Sequence, residues 1–163
     1  MKRSLSLVFS VLVLALAGCG PKEAEAPAQP EKSVAEQRRE NWFGAKLAAE
    51  PGIAWRDSGL GIKMLKEGEG ALPQRMDKVR MIYVGRLVDG TEFDRSAPDK
   101  PAVFRVQELV TGLAAGIGTM RAGGKAFVYI PPHLGYGGIR AGKVPPNSAL
   151  IFEVDLLELN PKS

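Results

Sequence analysis

The sequence is poor in the residues that most often carry chemistry. Its 163 residues include one cysteine, Cys19, and one histidine, His133. A single cysteine excludes an internal disulfide, and one cysteine with one distant histidine does not make a metal-ligand set. His133 follows two prolines, so we expect it on an exposed loop and not in a catalytic role. The composition therefore predicts neither a metal nor a cofactor.

Concentrated positive charge is also absent. The chain has 22 basic and 18 acidic residues, and 20 basic residues remain once Lys2 and Arg3 are assigned to a leader that is removed. No Lys/Arg cluster resembles a nucleic-acid footprint, so no nucleic-acid partner is expected. The glycine-rich stretch "TMRAGGKA" fails the phosphate-binding loop pattern, because Thr119 replaces its first glycine and Ala126 its Ser/Thr. Nucleotide binding is therefore not predicted either.

The first twenty residues, "MKRSLSLVFSVLVLALAGCG", have the order of a secretory signal. Two basic residues precede an apolar run, and small residues follow it. The segment "LAGC" resembles a bacterial lipobox, which implies a lipoprotein signal peptide over 1–18 and lipidation of Cys19. A plain signal peptide or an uncleaved anchor is the alternative. Gly20, where aspartate would favour the inner membrane, favours an anchor in the outer membrane that faces the periplasm.

Two segments connect this leader to the remainder of the chain. Residues 19–32 are rich in Pro, Ala, Glu and Lys and contain no bulky apolar side chain, so a flexible tether is predicted. Residues 33–57 are predicted as a short helical segment, with a helix of roughly 16 residues that begins at a Ser33–Glu36 capping box. Its partial apolar stripe (Trp42, Phe43, Leu47) predicts docking on the domain, with dimerisation as the alternative; we expect a monomer.

The third region, residues 58–163, has the strand pattern of a single domain. Strands are predicted over 60–66, 78–88, 102–106, 124–131 and 149–158. Apolar and polar residues alternate in the second and the last of these, which indicates an antiparallel sheet with one wet face. Leu109, Leu113, Ile117 and Met120 have helical spacing within 107–120. The prediction is an α+β fold in which a bent antiparallel β-sheet wraps around one short α-helix, preceded by a short N-terminal helix. A long loop is expected over 132–148.

Three stretches carry a family resemblance: "VRMIYVGRLVDGTEFDRS", "KPAVFRVQELVTGLAAGIGTMRAGGKAFVYIPPHLGYG" and "VPPNSALIFEVDLLEL". In this order and spacing they resemble the FKBP-type peptidyl-prolyl cis–trans isomerases over about residues 58–159. The resemblance implies an isomerase that needs no cofactor. Its expected partners are proline-containing segments of unfolded or nascent envelope proteins, and the membrane through the lipid on Cys19.

The resemblance also implies a hydrophobic pocket between sheet and helix. Its matching positions assign catalytic roles to Tyr83, Phe93, Asp94 and Tyr136. They assign substrate binding to Phe104, Leu109, Val110, Leu113, Val144 and Phe152. Leu113 and Ala102 stand where many members have aromatic residues, and the loop 137–145 is shorter than in the small cytosolic form.

The residues leave some alternatives open. Asp94 could act as a general acid–base, although no partner carboxylate or histidine is visible, and the favoured role is to shape the pocket wall. No charged specificity element is visible, so a broad preference for apolar residues before proline is expected. A non-catalytic module that binds extended proline-containing segments is the second hypothesis, and a plain structural lipoprotein is the third.

Overall fold

The structure, a computed structural model, describes residues 31–97 and 99–162. The predicted signal peptide, the lipidation site at Cys19 and nearly all of the predicted tether lie outside the described residues. In the described part of the chain, no helix is both long enough and apolar enough to cross a membrane. The folded elements begin just after Ser33, where the sequence predicts the first helix.

Seven antiparallel strands, two more than the sequence predicts, form one sheet around a short helix. The strands are β1 (Ala54–Trp55), β2 (Gly61–Lys66), β3 (Lys78–Leu87), β4 (Glu92–Arg95), β5 (Ala102–Arg105), β6 (Lys125–Ile130) and β7 (Leu150–Leu159). Their order is β1-β2-β6-β7-β3-β4, and β5 pairs with β3 beside β4. The outer edge of β3 is thus shared, since β5 pairs with its first half and β4 with its second half. The α+β fold class is confirmed.

Alternation along β3 and β7 divides the sheet into two faces. Val79, Met81 and Tyr83 of β3 are buried on the inner face, together with Phe152 and Val154 of β7. These side chains belong to the main core, which also contains the helix residues Leu113 and Ile117. The register pairs Tyr83 with Val154 and Gly85 with Phe152 across the two long central strands. Period-2 patterning in two strands therefore predicts this core correctly.

The helix that crosses the inner face is shorter than predicted. A 3-10 turn (Val106–Glu108) precedes α3 (Thr111–Ile117), and the two residues between them are extended. The backbone N–H groups of Val106 and Gln107 donate to the carbonyls of Asp77 and Arg75, at 3.0 and 3.1 Å. These bonds tie the 3-10 turn to the loop before β3. The break itself lies at Leu109 and Val110, whose ψ angles of 154° and 145° are not helical. The spacing over 107–120 identifies the buried side but not the break.

Helix α3 lies very close to the sheet. A Cβ atom at Gly116 would lie 2.6 Å from Val128 Cγ1, closer than real Cβ contacts come, and one at Gly112 would collide with Ile130. Both glycines are buried in α3 against β6. The absence of side chains at these positions lets the helix approach β6, and this approach sets the depth of the space beside Leu113.

The hairpin β3–β4 and the two-residue strand β1 add to the predicted strands. The turn of the hairpin contains Asp89–Gly90, a pair that favours tight turns between strands, and Gly90 adopts φ +89° there. Strand β4 is not predicted, because "EFDR" has a single apolar residue and no alternation to count. Strand β1 is not predicted either, since two residues are too few to form a periodic pattern.

The N-terminal helix docks on the sheet but is interrupted. Helix α1 (Val34–Phe43) begins at the predicted capping box, where Ser33 Oγ accepts from Glu36 N–H at 3.2 Å and Glu36 accepts from Ser33 N–H at 2.7 Å. Gly44, with φ +80° and ψ 152°, breaks the helix before the single turn α2 (Ala45–Ala48). A continuous helix of 16 residues is therefore wrong, because Gly44 adopts a conformation that other residues rarely take.

The outer face of the sheet is less exposed to water than predicted, because α1 docks on part of it. Phe43 is 2% exposed and packs with Tyr129 and Ala149 in a second core cluster on that face. Trp55, Phe127 and Ile151 border the same cluster. Only part of the outer face is therefore polar, where Arg86 and Lys125 lie on either side of Glu153.

Candidate active site

An apolar hollow opens between α3 and the inner face of the sheet. Its volume is about 210 Å³. Strand β3 supplies one wall, the segment that leads into α3 supplies the floor, and the loop after β6 closes one side. The hollow is lined by Met81, Tyr83, Phe104, Glu108, Leu109, Val110, Leu113, Tyr136 and Phe152.

A hydrogen bond between Tyr83 and Asp94 forms one wall. The Tyr83 hydroxyl donates to Asp94 Oδ2 at 2.8 Å, and the other carboxylate oxygen accepts from Arg95 N–H at 2.9 Å. Burial, and then the bond to Asp94, raises the pKa of Tyr83 well above its ordinary value. Tyr83 therefore stays a neutral donor throughout the physiological range. Its hydroxyl proton is already engaged with the carboxylate.

Ser96 fixes the backbone of Tyr83. Its side chain is buried, with a relative exposure of 6%. Ser96 Oγ accepts from Tyr83 N–H at 3.0 Å, and Ser96 N–H donates to the Tyr83 carbonyl at 3.1 Å. These two bonds continue the β3–β4 pairing past the end of β4. Because they hold both backbone groups of Tyr83, they orient the ring toward Asp94.

Aromatic contacts fix the apolar walls of the hollow. Phe104 lies edge-on to Tyr83 at a centroid distance of 6.0 Å, and the rings of Tyr83 and Phe152 are 6.2 Å apart. Phe93 packs edge-on to Phe152, at 5.5 Å, from behind the wall. Distances of 4.5–7 Å with tilted or edge-on rings are those that aromatic pairs favour. The hollow therefore has rigid walls of defined shape.

Two donors at the hollow have no acceptor in the described part of the chain. One is the Tyr136 hydroxyl, which, unlike Tyr83, forms no hydrogen bond within residues 31–97 and 99–162. Burial, followed by the charge of Asp94, raises the pKa of Tyr136, which keeps its hydroxyl protonated. The other is the backbone N–H of Val110, the residue that caps α3. An acceptor on a bound molecule can therefore use either group.

A comparison with known families identifies the family in which this arrangement occurs. Residues 70–157 match the model of the FKBP-type peptidyl-prolyl cis–trans isomerases. The chain belongs to this family. FkpA of Escherichia coli is 35% identical over 141 residues, which cover 85% of this chain and 52% of that relative. The FKBP-type 22 kDa peptidyl-prolyl cis–trans isomerase of the same species is 43% identical over 114 residues, which cover 69% of this chain and 55% of the relative.

Solved structures agree with the family assignment. The crystal structure of E. coli FkpA superposes with a TM-score of 0.69 at 36% identity, covering 78% of this chain and 58% of that one. A peptidyl-prolyl cis–trans isomerase from Pseudomonas syringae pv. tomato superposes with a TM-score of 0.68 at 31% identity, covering 78% of this chain and 94% of that one. This FKBP-type chain spans about half the length of the curated relatives that it matches.

The FKBP-type fold brings most of the sequence-predicted site residues together. Seven of them line the hollow: Tyr83, Phe104, Leu109, Val110, Leu113, Tyr136 and Phe152. Asp94 and Phe93 touch the lining residues Tyr83 and Phe152 from outside. Val144 is 2% exposed in the core and is not part of the lining. The functional role of each residue stays a prediction.

Three residues of the site are missing from the sequence-based set. Met81 lies two positions before Tyr83 on the same strand face, so alternation was enough to find it. Ser96 lies two positions after Asp94, but nothing in the pattern indicates its bonds to Tyr83. Glu108 is the third, and it brings a carboxylate to the lining. Its carboxylate accepts from Arg105 N–H at 3.1 Å, and whether it affects substrate preference stays a prediction.

The site offers no group of ligands for a metal. Among residues 31–97 and 99–162, no three His, Cys, Asp or Glu side chains are grouped as a metal site would require. His133 is exposed, as predicted, on the 3-10 turn Pro132–Leu134 after β6. The FKBP-type hollow thus presents apolar surface, two free donors and one rim carboxylate.

Proposed function

We propose that this protein catalyses the cis–trans isomerisation of Xaa-Pro peptide bonds in the hollow beside Leu113. The observation that carries the proposal is an apolar, aromatic-walled space of about 210 Å³ with a free hydroxyl donor at its edge. Membership of the FKBP-type family supports the same reaction. The reaction requires neither a nucleophile nor a proton transfer.

The chemistry follows from the electronic structure of the amide. Resonance keeps the peptide bond planar and gives it a rotation barrier of about 18–20 kcal/mol. Uncatalysed Xaa-Pro exchange takes roughly 10–100 s at 25 °C. The twisted state has lost its resonance and is less polar than the planar amide. An apolar hollow therefore favours the twisted state relative to water, and each ~1.4 kcal/mol of preference increases the rate about tenfold.

The residues around the hollow have different parts in this reaction. One substrate carbonyl is held by the Tyr136 hydroxyl or by the Val110 N–H while the prolyl bond rotates. The prolyl ring packs against the apolar lining, and Leu109 closes the floor. Asp94 keeps Tyr83 in place and polarises that wall, while Phe93 supports Phe152. The residues that hold the ring are Tyr83, Phe104, Val110, Leu113 and Phe152.

We place this activity at the periplasmic face of the bacterial envelope. The support is the order of residues 1–19 and the lipobox-like "LAGC", with Gly20 in favour of the outer membrane. The substrates are then proline-containing segments of unfolded or nascent envelope proteins, and the protein assists their folding. A monomer is the expected state, since the apolar side of α1 packs against the sheet of its own chain.

An isomerisation assay tests the proposal. The full-length protein, purified in detergent, is added to a proline-containing peptide prepared in the cis form, and the rate of trans formation is measured. Tyr136→Phe removes one hydroxyl and lowers kcat/KM roughly tenfold, which corresponds to one hydrogen bond of ~1.4 kcal/mol. Tyr129→Phe is the matched control, because that hydroxyl lies on the outer face of the sheet.

The outcomes separate the hypotheses. Acceleration by the wild type that depends on Tyr136 but not on Tyr129 supports the enzyme. A rate equal to the uncatalysed one, combined with saturable peptide binding, identifies the non-catalytic binding module instead. Neither activity nor binding identifies a structural lipoprotein.

A further inference from the structure

We infer that Trp42 of the N-terminal helix is a positioning residue for the reaction, because its ring packs against His133 on the turn that carries Tyr136. This inference rests on the proposed function, in which the Tyr136 hydroxyl holds a substrate carbonyl. It assigns α1 a part in the active site, although α1 lies on the opposite face of the sheet from the hollow.

The contact joins α1 to the loop after β6. The ring of Trp42 lies 5.4 Å from the ring of His133, tilted by 47°. This separation is within the range of direct aromatic packing. Trp42 is itself held from below by Gly59, where any Cβ would collide with the indole ring. The indole therefore contacts both Gly59 and His133.

A short chain of backbone bonds links His133 to Tyr136. The Pro132 carbonyl accepts from Gly135 N–H at 3.1 Å and from Gly137 N–H at 2.9 Å. These bonds close residues 132–137 into one compact turn, with His133 at one side and Tyr136 at the other. A displacement of His133 therefore moves the turn as a unit, including the Tyr136 ring.

In the part of the chain that the structure describes, other contacts of this turn reach α3, the main core and the rest of the loop. Leu134 packs toward Gly112 of α3, and Tyr136 packs against the main core. The bond from Asn147 N–H to the Gly137 carbonyl stays within the same long loop. The Trp42–His133 contact fixes the turn from the outer side. Removal of that contact leaves the Tyr136 hydroxyl free to drift from the carbonyl that it must hold.

The test is a double-mutant cycle in the full-length protein. Trp42→Ala and His133→Ala each lower kcat/KM on the order of tenfold, since misplacement by an ångström can cost up to about 10²-fold. The loss appears in kcat more than in KM, and Trp42→Phe restores most of it. In a Tyr136→Phe background, Trp42→Ala causes no further loss, because the hydroxyl that it positions is already absent.

Control variants distinguish a loss of Tyr136 positioning from a general folding defect. Leu47→Ala truncates a side chain of the same N-terminal segment that packs on the outer-face cluster, and its kcat/KM stays within about twofold of wild type. His133→Ala leaves every residue of α1 unchanged, so it answers the question even if Trp42→Ala unfolds that helix. An equal loss for Leu47→Ala, or a Trp42→Ala effect that persists in Tyr136→Phe, overturns the inference.

A spectroscopic measurement is independent of activity. The chain has three tyrosines, so tyrosine labelled with ¹³C in the ring gives three resolvable sets of NMR signals. Trp42→Ala and His133→Ala are expected to shift the Tyr136 signals and leave those of Tyr83 in place. If the wild type lacks isomerase activity, the proposed function fails, but these shifts still report the coupling. Unchanged Tyr136 signals in both variants contradict it.

Discussion

Two tyrosine hydroxyls face the hollow, and within the described part of the chain only that of Tyr83 has an acceptor. Tyr83 donates to Asp94 at 2.8 Å, so its proton is engaged before any substrate arrives. Tyr136 has its pKa raised by burial and by the charge of Asp94, and it remains a donor for a ligand. We therefore expect two residues of the same type to have different roles, one in shaping the wall and the other in holding the substrate.

Substitution of Asp94 distinguishes wall-shaping from proton transfer. Asp94→Ala is expected to lower kcat/KM about tenfold, because the buried Tyr83 hydroxyl loses a partner worth ~1–1.5 kcal/mol. Asp94→Asn is expected to cost only about threefold, since the amide oxygen still accepts from Tyr83. Both are measured in the peptide assay, with Glu92→Gln on the same strand as the control. Complete loss in Asp94→Asn with the fold intact would revive acid–base catalysis.

At the scale of residues, the sequence alone predicts some members of the site and misses others. Alternation along β3 and β7 identifies Tyr83 and Phe152 as buried on one face, and the resemblance gives them a place in a pocket. Val144 shows the limit, because a matching position does not reveal whether a side chain enters the lining or the core behind it. Glu108 shows another, since its position depends on a 3-10 turn whose backbone bonds reach Asp77 and Arg75.

At the scale of secondary-structure elements, ion pairs on the outer face connect three strands of the sheet. Glu153 of β7 contacts Lys125 of β6 at 2.8 Å and Arg86 of β3 at 3.6 Å. The hydrogen bond from Lys125, and then the two positive charges, hold the pKa of Glu153 below its ordinary value of 4.5. The carboxylate thus links the three central strands where α1 does not cover them.

The pH dependence of stability follows from that pKa. Because the folded pKa lies below the unfolded one, the contribution of Glu153 is complete above about pH 4.5–5 and disappears as the pH falls through the folded value. Glu153→Gln is expected to lower the free energy of unfolding by about 0.5–1 kcal/mol at pH 7. Urea unfolding of both proteins from pH 7 to pH 3 measures this difference. A difference that stays constant over that range would contradict the coupling.

Elements with long periodic patterns are predictable, and those fixed by tertiary contacts are not. The ten-residue strands β3 and β7 and the capping box at Ser33 follow from local sequence. Helix α3 is shorter than its periodicity predicts, because Leu109 and Val110 adopt extended backbone just before it. The burial of apolar residues on the outer face is not predicted either, since Phe127 and Tyr129 are covered by a helix from the other end of the domain.

At the scale of the whole molecule, the proposed lipid anchor depends on a single residue, Cys19. Cys19→Ser is expected to abolish incorporation of labelled palmitate and to release the protein from the membrane fraction, because one fatty chain or none does not anchor stably. Labelling in cells, followed by fractionation, measures both. Ser10→Ala, within the same apolar run, is the control and keeps the label. A wild-type protein without label would favour the plain signal peptide.

The two borders of the sheet are short strands. On one side β1 has two residues, and on the other β4 and β5 have four each and divide the edge of β3 between them. A long unpaired border is a template on which foreign strands add by backbone hydrogen bonding. If the protein binds unfolded, strand-forming chains, as the proposed function requires, a continuous border would favour co-aggregation with them. The divided edge leaves such chains little backbone to extend.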